Sequence, residues 1–196
     1  KLCNSHNALL VADEVQSGCN RTGKFLAIEN FNVVPDIVCV SKAIANGIPM
    51  GVTIAKRKEF DWPAGSHANT FGGNLIACAA GIAVLDFMKK KKLALNSLKR
   101  GKQLMKGLKE LYEKFELIGD VRGKGLMIGI ELVENRKTKT PAIKQRFKIL
   151  QNCLETGLVL LPAGKSTIRF CPPLIISSAQ IDKGLNILES SFKSAR

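Results

Sequence analysis

The sequence predicts an α/β protein: part of a larger parallel-sheet domain followed by a smaller α/β domain. Three observations carry that expectation. Two short apolar runs rich in branched residues, Ala8 to Ala12 and Ile37 to Val40, are each followed at once by a polar residue. A long basic stretch from Lys89 to Lys114 has leucines at helical spacing. Beyond Ile118 the texture changes to short strand-like runs separated by helix-like ones. Branched runs of this length suit strands covered on both faces, as in parallel sheets, where active groups gather at the carboxyl ends.

Taken in order, the two runs are expected to be buried parallel strands, with Asp13 and Lys42 at their carboxyl ends. Between them a glycine-containing loop, Ser17 to Lys24, and a short helix around Phe25 to Phe31 supply the crossover that parallel strands require. Gly51 to Ala55 reads as another short strand and Gly65 to Asn74 as a polar loop. Leu75 to Met88, rich in alanine, is expected to be a helix buried on most sides. The basic helix follows from Leu93 to about Phe115, with Leu104, Leu108, Leu111 and Phe115 on one stripe.

The domain change is placed within that helix, so that residues 1–95 belong to the large domain and 96–196 to the small one. Strands are expected at Leu126 to Val133, Leu158 to Leu161 and Thr167 to Phe170, with helices near Pro141 to Glu155 and Ser178 to Phe192. Ser177 and Gln180 have the spacing of a capping box at the start of the last helix. The chain does not begin with Met and enters an apolar run within ten residues, which reads as a start in the middle of a fold.

Composition narrows the function classes. No apolar run approaches the roughly 18 residues of a membrane span, and the opening residues have no signal-peptide pattern, so a cytoplasmic location without membrane contact is expected. Six cysteines stand without a close CxxC pair and read as buried free thiols, and two distant histidines give no convincing metal site. The net charge of +14 invites a nucleic-acid reading. Much of the excess, however, lies on the helix between Lys89 and Lys114, where lysines alternating with leucines make a wet face. A nucleic-acid partner is therefore not expected.

The chemistry rests first on a carboxylate and a lysine, each at a strand end. An enzyme using pyridoxal 5′-phosphate (PLP) needs a lysine to carry the cofactor and an acid that keeps the pyridine nitrogen protonated. Asp13 and Lys42 suit those tasks, although residues of these types at strand ends are commonly plain loop or capping groups.

The surrounding residues extend the pattern. Leu10-Val11-Ala12-Asp13-Glu14-Val15-Gln16-Ser17-Gly18 with Arg21-Thr22-Gly23-Lys24 resembles the pyridine-binding segment of class III (subgroup II) PLP-dependent aminotransferases. Pro35-Asp36-Ile37-Val38 leading to Ser41-Lys42 resembles their lysine segment, and His67-Ala68-Asn69-Thr70-Phe71-Gly72-Gly73-Asn74 the loop before a long helix. Val121 to Gly129 and Ile168-Arg169-Phe170-Cys171-Pro172-Pro173-Leu174 are similar to two further family segments, in the family's order. Cys19 and Asn20 depart from the usual apolar residue and glycine.

The resemblance, to the 4-aminobutyrate, ornithine and acetylornithine aminotransferase group, implies the second half of a fold type I PLP-dependent transferase, the aspartate aminotransferase-like fold. It implies that Asp13 pairs with the ring nitrogen, Val15 packs on the ring, Gln16 lies near the phenolic oxygen and Lys42 carries the cofactor and moves protons. Thr70 would contact the phosphate held by a neighbouring subunit, which implies a homodimer with shared sites, and Arg169 would grip a substrate carboxylate.

The implied reaction moves an amino group from an omega-amino donor to 2-oxoglutarate within a longer chain, because the phosphate loop and ring-stacking aromatic are absent from these residues. The alternatives are an inactive truncated remnant, an aminomutase of the same fold, and a basic nucleic-acid-binding module.

Overall fold

A computed structural model describes residues 1–195, which divide into two compact units, one from Lys1 to Ala94 and one beginning at Leu95. The first holds a three-stranded sheet in the order β1-β2-β3, with β1 Val11–Asp13, β2 Ile37–Val40 and β3 Val52–Ala55. β1 and β2 run parallel, Val11 facing Ile37 and Asp13 facing Cys39. The loop and a 3-10 turn at Ala27–Phe31 make the crossover that this geometry demands. β3 returns antiparallel to β2, because the link from Ser41 to Gly51, one 3-10 turn and a bend, is too short for a crossover.

Short helix α1, Leu2–Ser5, precedes β1, and helix α2, Leu75–Lys90, closes the unit. Asn74 caps α2 by accepting the Ile76 and Ala77 amides at 3.0 and 3.1 Å. Two expectations fail in this unit. β1 is not covered on both faces, since Val11 is 52% exposed, and α2 buries only Ala77, Gly81 and Met88 while Leu75, Ile76 and Ile82 face outward. Apolar composition set those expectations, but burial needs a covering neighbour, and no described residue of the unit lies over these faces.

The second unit is built round a four-stranded antiparallel sheet in the order β4-β5-β7-β6: β4 Ile118–Lys124, β5 Met127–Leu132, β6 Leu161–Ala163 and β7 Thr167–Phe170. Helices α3 Leu93–Lys114, α4 Ile143–Glu155 and α5 Ser178–Ser194 supply its other apolar faces. The stripe expected on α3 is buried at Leu104, Leu108, Leu111 and Phe115, although Leu98 is left partly exposed. Ile181, Leu188 and Phe192 of α5 join the same core, and the capping box forms, with Ser177 Oγ accepting the Gln180 amide and the Gln180 side chain accepting that of Ser177.

Two contacts fix α3 in place. Arg136 donates to the carbonyls of Tyr112, Phe115 and Ile118 and lies 3.9 Å over the Tyr112 ring, satisfying carbonyls that the helix end leaves open. At Gly101 a Cβ would stand 2.1 Å from the Gly125 carbonyl oxygen, so only glycine lets the helix approach the β4–β5 turn. Of the six cysteines, all free, only Cys19 and Cys153 are buried and Cys171 is exposed, which corrects the expectation of buried thiols. Among the described residues no helix is long and apolar enough to cross a membrane.

Candidate active site

β1 and β2 lie side by side in parallel, so their carboxyl ends open on the same edge of the sheet. Asp13 is the last residue of β1, and Lys42 follows the last residue of β2 by two positions. Both side chains are exposed. One Asp13 oxygen accepts the Val15 amide at 3.0 Å, which folds the chain sharply after the strand. Val15 and Gln16 sit in that turn and are half-buried.

Lys42 has a φ of +48°, a left-handed conformation uncommon for a residue with a side chain. The residue before it is pinned twice: Ser41 Oγ donates to the Met50 carbonyl at 2.7 Å, and the Ser41 carbonyl accepts the Ile44 amide at 3.2 Å. Local strain of this kind persists where the surroundings over-determine it, and it clusters at functional positions. The Lys42 ammonium makes no hydrogen bond or ion pair among the described residues.

The base of the strand pair is tied by Asp36. Its carboxylate accepts the Leu10 amide at 2.9 Å and pairs with Lys56 at 3.0 Å, and these two bonds, the amide first, hold it below the usual carboxylate range. At the other end the Glu14 carboxylate is buried and accepts from Ser17 and Ile28. Burial pushes the Cys19 thiol up, and the Glu14 charge adds to the shift. Glu14 received no role from the sequence, and the signal available was an acid directly after a strand-end aspartate with glycine four residues on.

Thr70 lies in the exposed turn before α2, and no hydrogen bond among the described residues joins it to the strand ends. Arg169 is on β7 in the second unit, opposite Gly129 on one side and Leu161 on the other. Its Nε is buried without a hydrogen-bond partner. It is among the residues lining a largely apolar cavity of about 550 Å³, with Leu158, Leu160, Phe170, Ile181 and Leu185. A guanidinium placed there offers planar donors to a carboxylate bordered by apolar surface.

Comparison with known proteins gives this geometry a family. The family described as aminotransferase class-III matches residues 1–192, and the chain belongs to it. It is 44% identical to an acetylornithine aminotransferase of Clostridium acetobutylicum over 98% of this chain and 48% of that protein. It is 41% identical to a leucine/methionine racemase of Thermococcus litoralis over 98% of this chain and 44% of that protein. An amine transaminase from an uncultivated Pseudomonas species, solved in its PLP-bound form, superposes with a TM-score of 0.93 at 34% identity, covering 100% of this chain and 46% of that one. The chain therefore has the fold of the second half of a PLP-dependent transferase, and it spans about half the length of the curated relatives it matches.

Proposed function

We propose that this chain supplies the lysine-bearing half of a PLP-dependent aminotransferase site, working within a polypeptide of the relatives' length, with Lys42 as the residue that carries the cofactor. The observation that supports it best is the pairing of an acid and a strained lysine on neighbouring strand ends, Asp13 and Lys42. The residues fit the cofactor. Asp13 has an oxygen beyond the one engaged by Val15, and the Lys42 ammonium is unengaged among the described residues.

PLP, when bound, supplies the electron sink for the carbon bearing the substrate amine. Asp13 would hold a proton on the ring nitrogen, Val15 would pack against the ring and Gln16 would lie beside the phenolic oxygen. The Lys42 amine would take a proton from the substrate carbon and deliver it to C4′ of the cofactor. Arg169 would bind a substrate carboxylate, with the cavity's apolar wall excluding water around it. Thr70 would serve the phosphate of a second copy's cofactor, so the partner proposed is a homodimeric one.

The donor class is an amine remote from its carboxylate, as in the acetylornithine named for the Clostridium relative, with 2-oxoglutarate as acceptor. Residues 1–95 would then be part of the cofactor domain and 96–196 the small domain.

An absorbance scan with added PLP tests the reading, on the chain alone and joined to the preceding half of the Clostridium enzyme. A visible band that borohydride bleaches while leaving the cofactor covalently attached, and that Lys42→Ala loses completely, is the expected result. No band in the folded, completed protein sinks it. The Thermococcus relative favours a second reading, an isomerising reaction that needs no keto acid. Product formed from a single amino acid with 2-oxoglutarate left out would decide for that one.

A further inference from the structure

We infer that Glu14 is a positioning residue for the cofactor-facing turn, an inference that rests on the PLP reading of Asp13, Val15 and Gln16. Glu14 is 3% exposed. Its Oε2 accepts the Ser17 hydroxyl at 2.5 Å and its Oε1 accepts the Ile28 amide at 2.7 Å. Its own amide donates to the Cys39 carbonyl of β2 at 2.8 Å, and its carbonyl accepts the Gly18 amide at 2.9 Å. One residue thus joins β1 to β2, closes the turn from 14 to 18 and anchors the far end of the loop at Ile28.

Val15 and Gln16 hang between those fastenings, and the Asp13 carboxylate accepts the Val15 amide inside the same turn. The three side chains assigned to the ring therefore share one support. A buried carboxylate is costly unless its oxygens are bonded, and here the two donors are the Ser17 hydroxyl and the Ile28 backbone amide, so satisfying the charge and placing the loop are a single event. The close approach is built into the sequence at Gly18, where a Cβ would lie 2.7 Å from the Glu14 carbonyl oxygen. Both carboxylate oxygens are engaged inward, so Glu14 acts through its neighbours.

The test uses the PLP-binding form of the protein identified by the scan above, with three variants. Glu14→Ala removes both bonds. Glu14→Gln keeps an acceptor for Ile28 and offers its amide to the Ser17 oxygen, and Ser17→Ala removes one bond only. The readouts are the circular dichroism of the visible band, which reports how the ring is held, and the pH midpoint of that band, with a thermal melt to identify the folded fraction.

Glu14→Ala is expected to keep a visible band on Lys42 that borohydride bleaches with covalent attachment of the cofactor, to show a dichroism about twofold or more weaker, and to shift the midpoint. Glu14→Gln should restore most of both, and Ser17→Ala should fall between. A folded Glu14→Ala with unchanged dichroism and midpoint overturns the inference. Should Glu14→Ala not fold, unchanged readouts in Ser17→Ala overturn it instead. A band in the parent protein with unmoved variants sinks this inference alone, whereas no band in the parent sinks the cofactor reading and this inference with it.

Discussion

In the C-terminal unit Leu108, Ile118, Ile130, Leu132, Ile168 and Leu188 are wholly shielded from solvent, whereas in the N-terminal unit Val34, Leu75, Ile76 and Ile82 are each more than half exposed. The unit that carries Asp13 and Lys42 is the one that covers less of its own apolar surface. Its strand ends are held instead by polar fastenings: Asp36 on Leu10, Glu14 on Ser17 and Ile28, and Ser41 on Met50. A net hydrogen bond contributes about 1 kcal/mol, whereas emptying a buried leucine or phenylalanine position costs about 2–5 kcal/mol. The candidate chemistry thus sits on a locally fastened edge, and the bulk of the packing energy lies in the other unit.

The largest effect expected is at Phe192, packed 5.0 Å from Phe115 between ring centroids. Phe192→Ala should lower stability by about 3–5 kcal/mol in chemical denaturation, while Ile82→Ala on the exposed face of α2 should stay within about 0.5 kcal/mol. A loss at Ile82 as large as that at Phe192 would mean that this face is covered in the folded protein and that the two units pack alike.

The helix caps act at a smaller scale. Asn74→Ala and Ser177→Ala should each cost about 1 kcal/mol, read as faster hydrogen exchange at the Ile76 and Ala77 amides in one unit and at Gln180 in the other. In the C-terminal unit the cap is tied to the shared core, so its loss should appear as a shift of the cooperative transition. In the N-terminal unit it should appear as local fraying of α2. Equal, global shifts would show the units unfolding as one.

The smallest effect is electrostatic. Asp36 in the first unit and Glu189 in the second are both held below the usual carboxylate range, Asp36 mainly by the Leu10 amide and then Lys56, Glu189 mainly by Lys193 and then Lys114. A depressed folded-state value means that each contributes stability at a pH above the ordinary carboxylate value of about 4, and that the contribution is lost as pH falls through the lower folded value. Asp36→Asn and Glu189→Gln should flatten that acid-side slope in unfolding experiments below about pH 4, each with a small loss of stability at neutral pH that shrinks as pH falls, small because both pairs are solvent-screened. An unchanged slope in both variants would remove these carboxylates from the acid response.

Much of the small unit was legible in the sequence because its signals are local. The stripe on α3, the capping box at Ser177 and the strand at Thr167 to Phe170 follow from spacing alone. β4 was missed because Gly119, Asp120 and Gly123 interrupt the alternation by which a strand is read, and its pairing with β5 supplies what its own residues do not. The strand given to Leu158 to Leu161 is displaced to Leu161–Ala163, where β7 provides the partner. For the candidate site, the strand-end positions of Asp13 and Lys42 were readable and the support beneath them was not. The donors to Glu14 come from residues 17 and 28, and no periodicity links those positions.

Legible in the residues alone were the starts of the long helices, though not the short α1, the apolar faces of α3 and α5, the places of an acid and a lysine relative to strand ends and, through five ordered motifs, the family. Tertiary structure alone decided which apolar faces are covered, the antiparallel return of β3, the left-handed backbone at Lys42, the unpartnered Nε of Arg169 and the burial of Glu14. The physical reason is range: spacing and propensity act over one or two turns of chain, whereas burial and hydrogen-bond satisfaction depend on groups that only folding brings into contact.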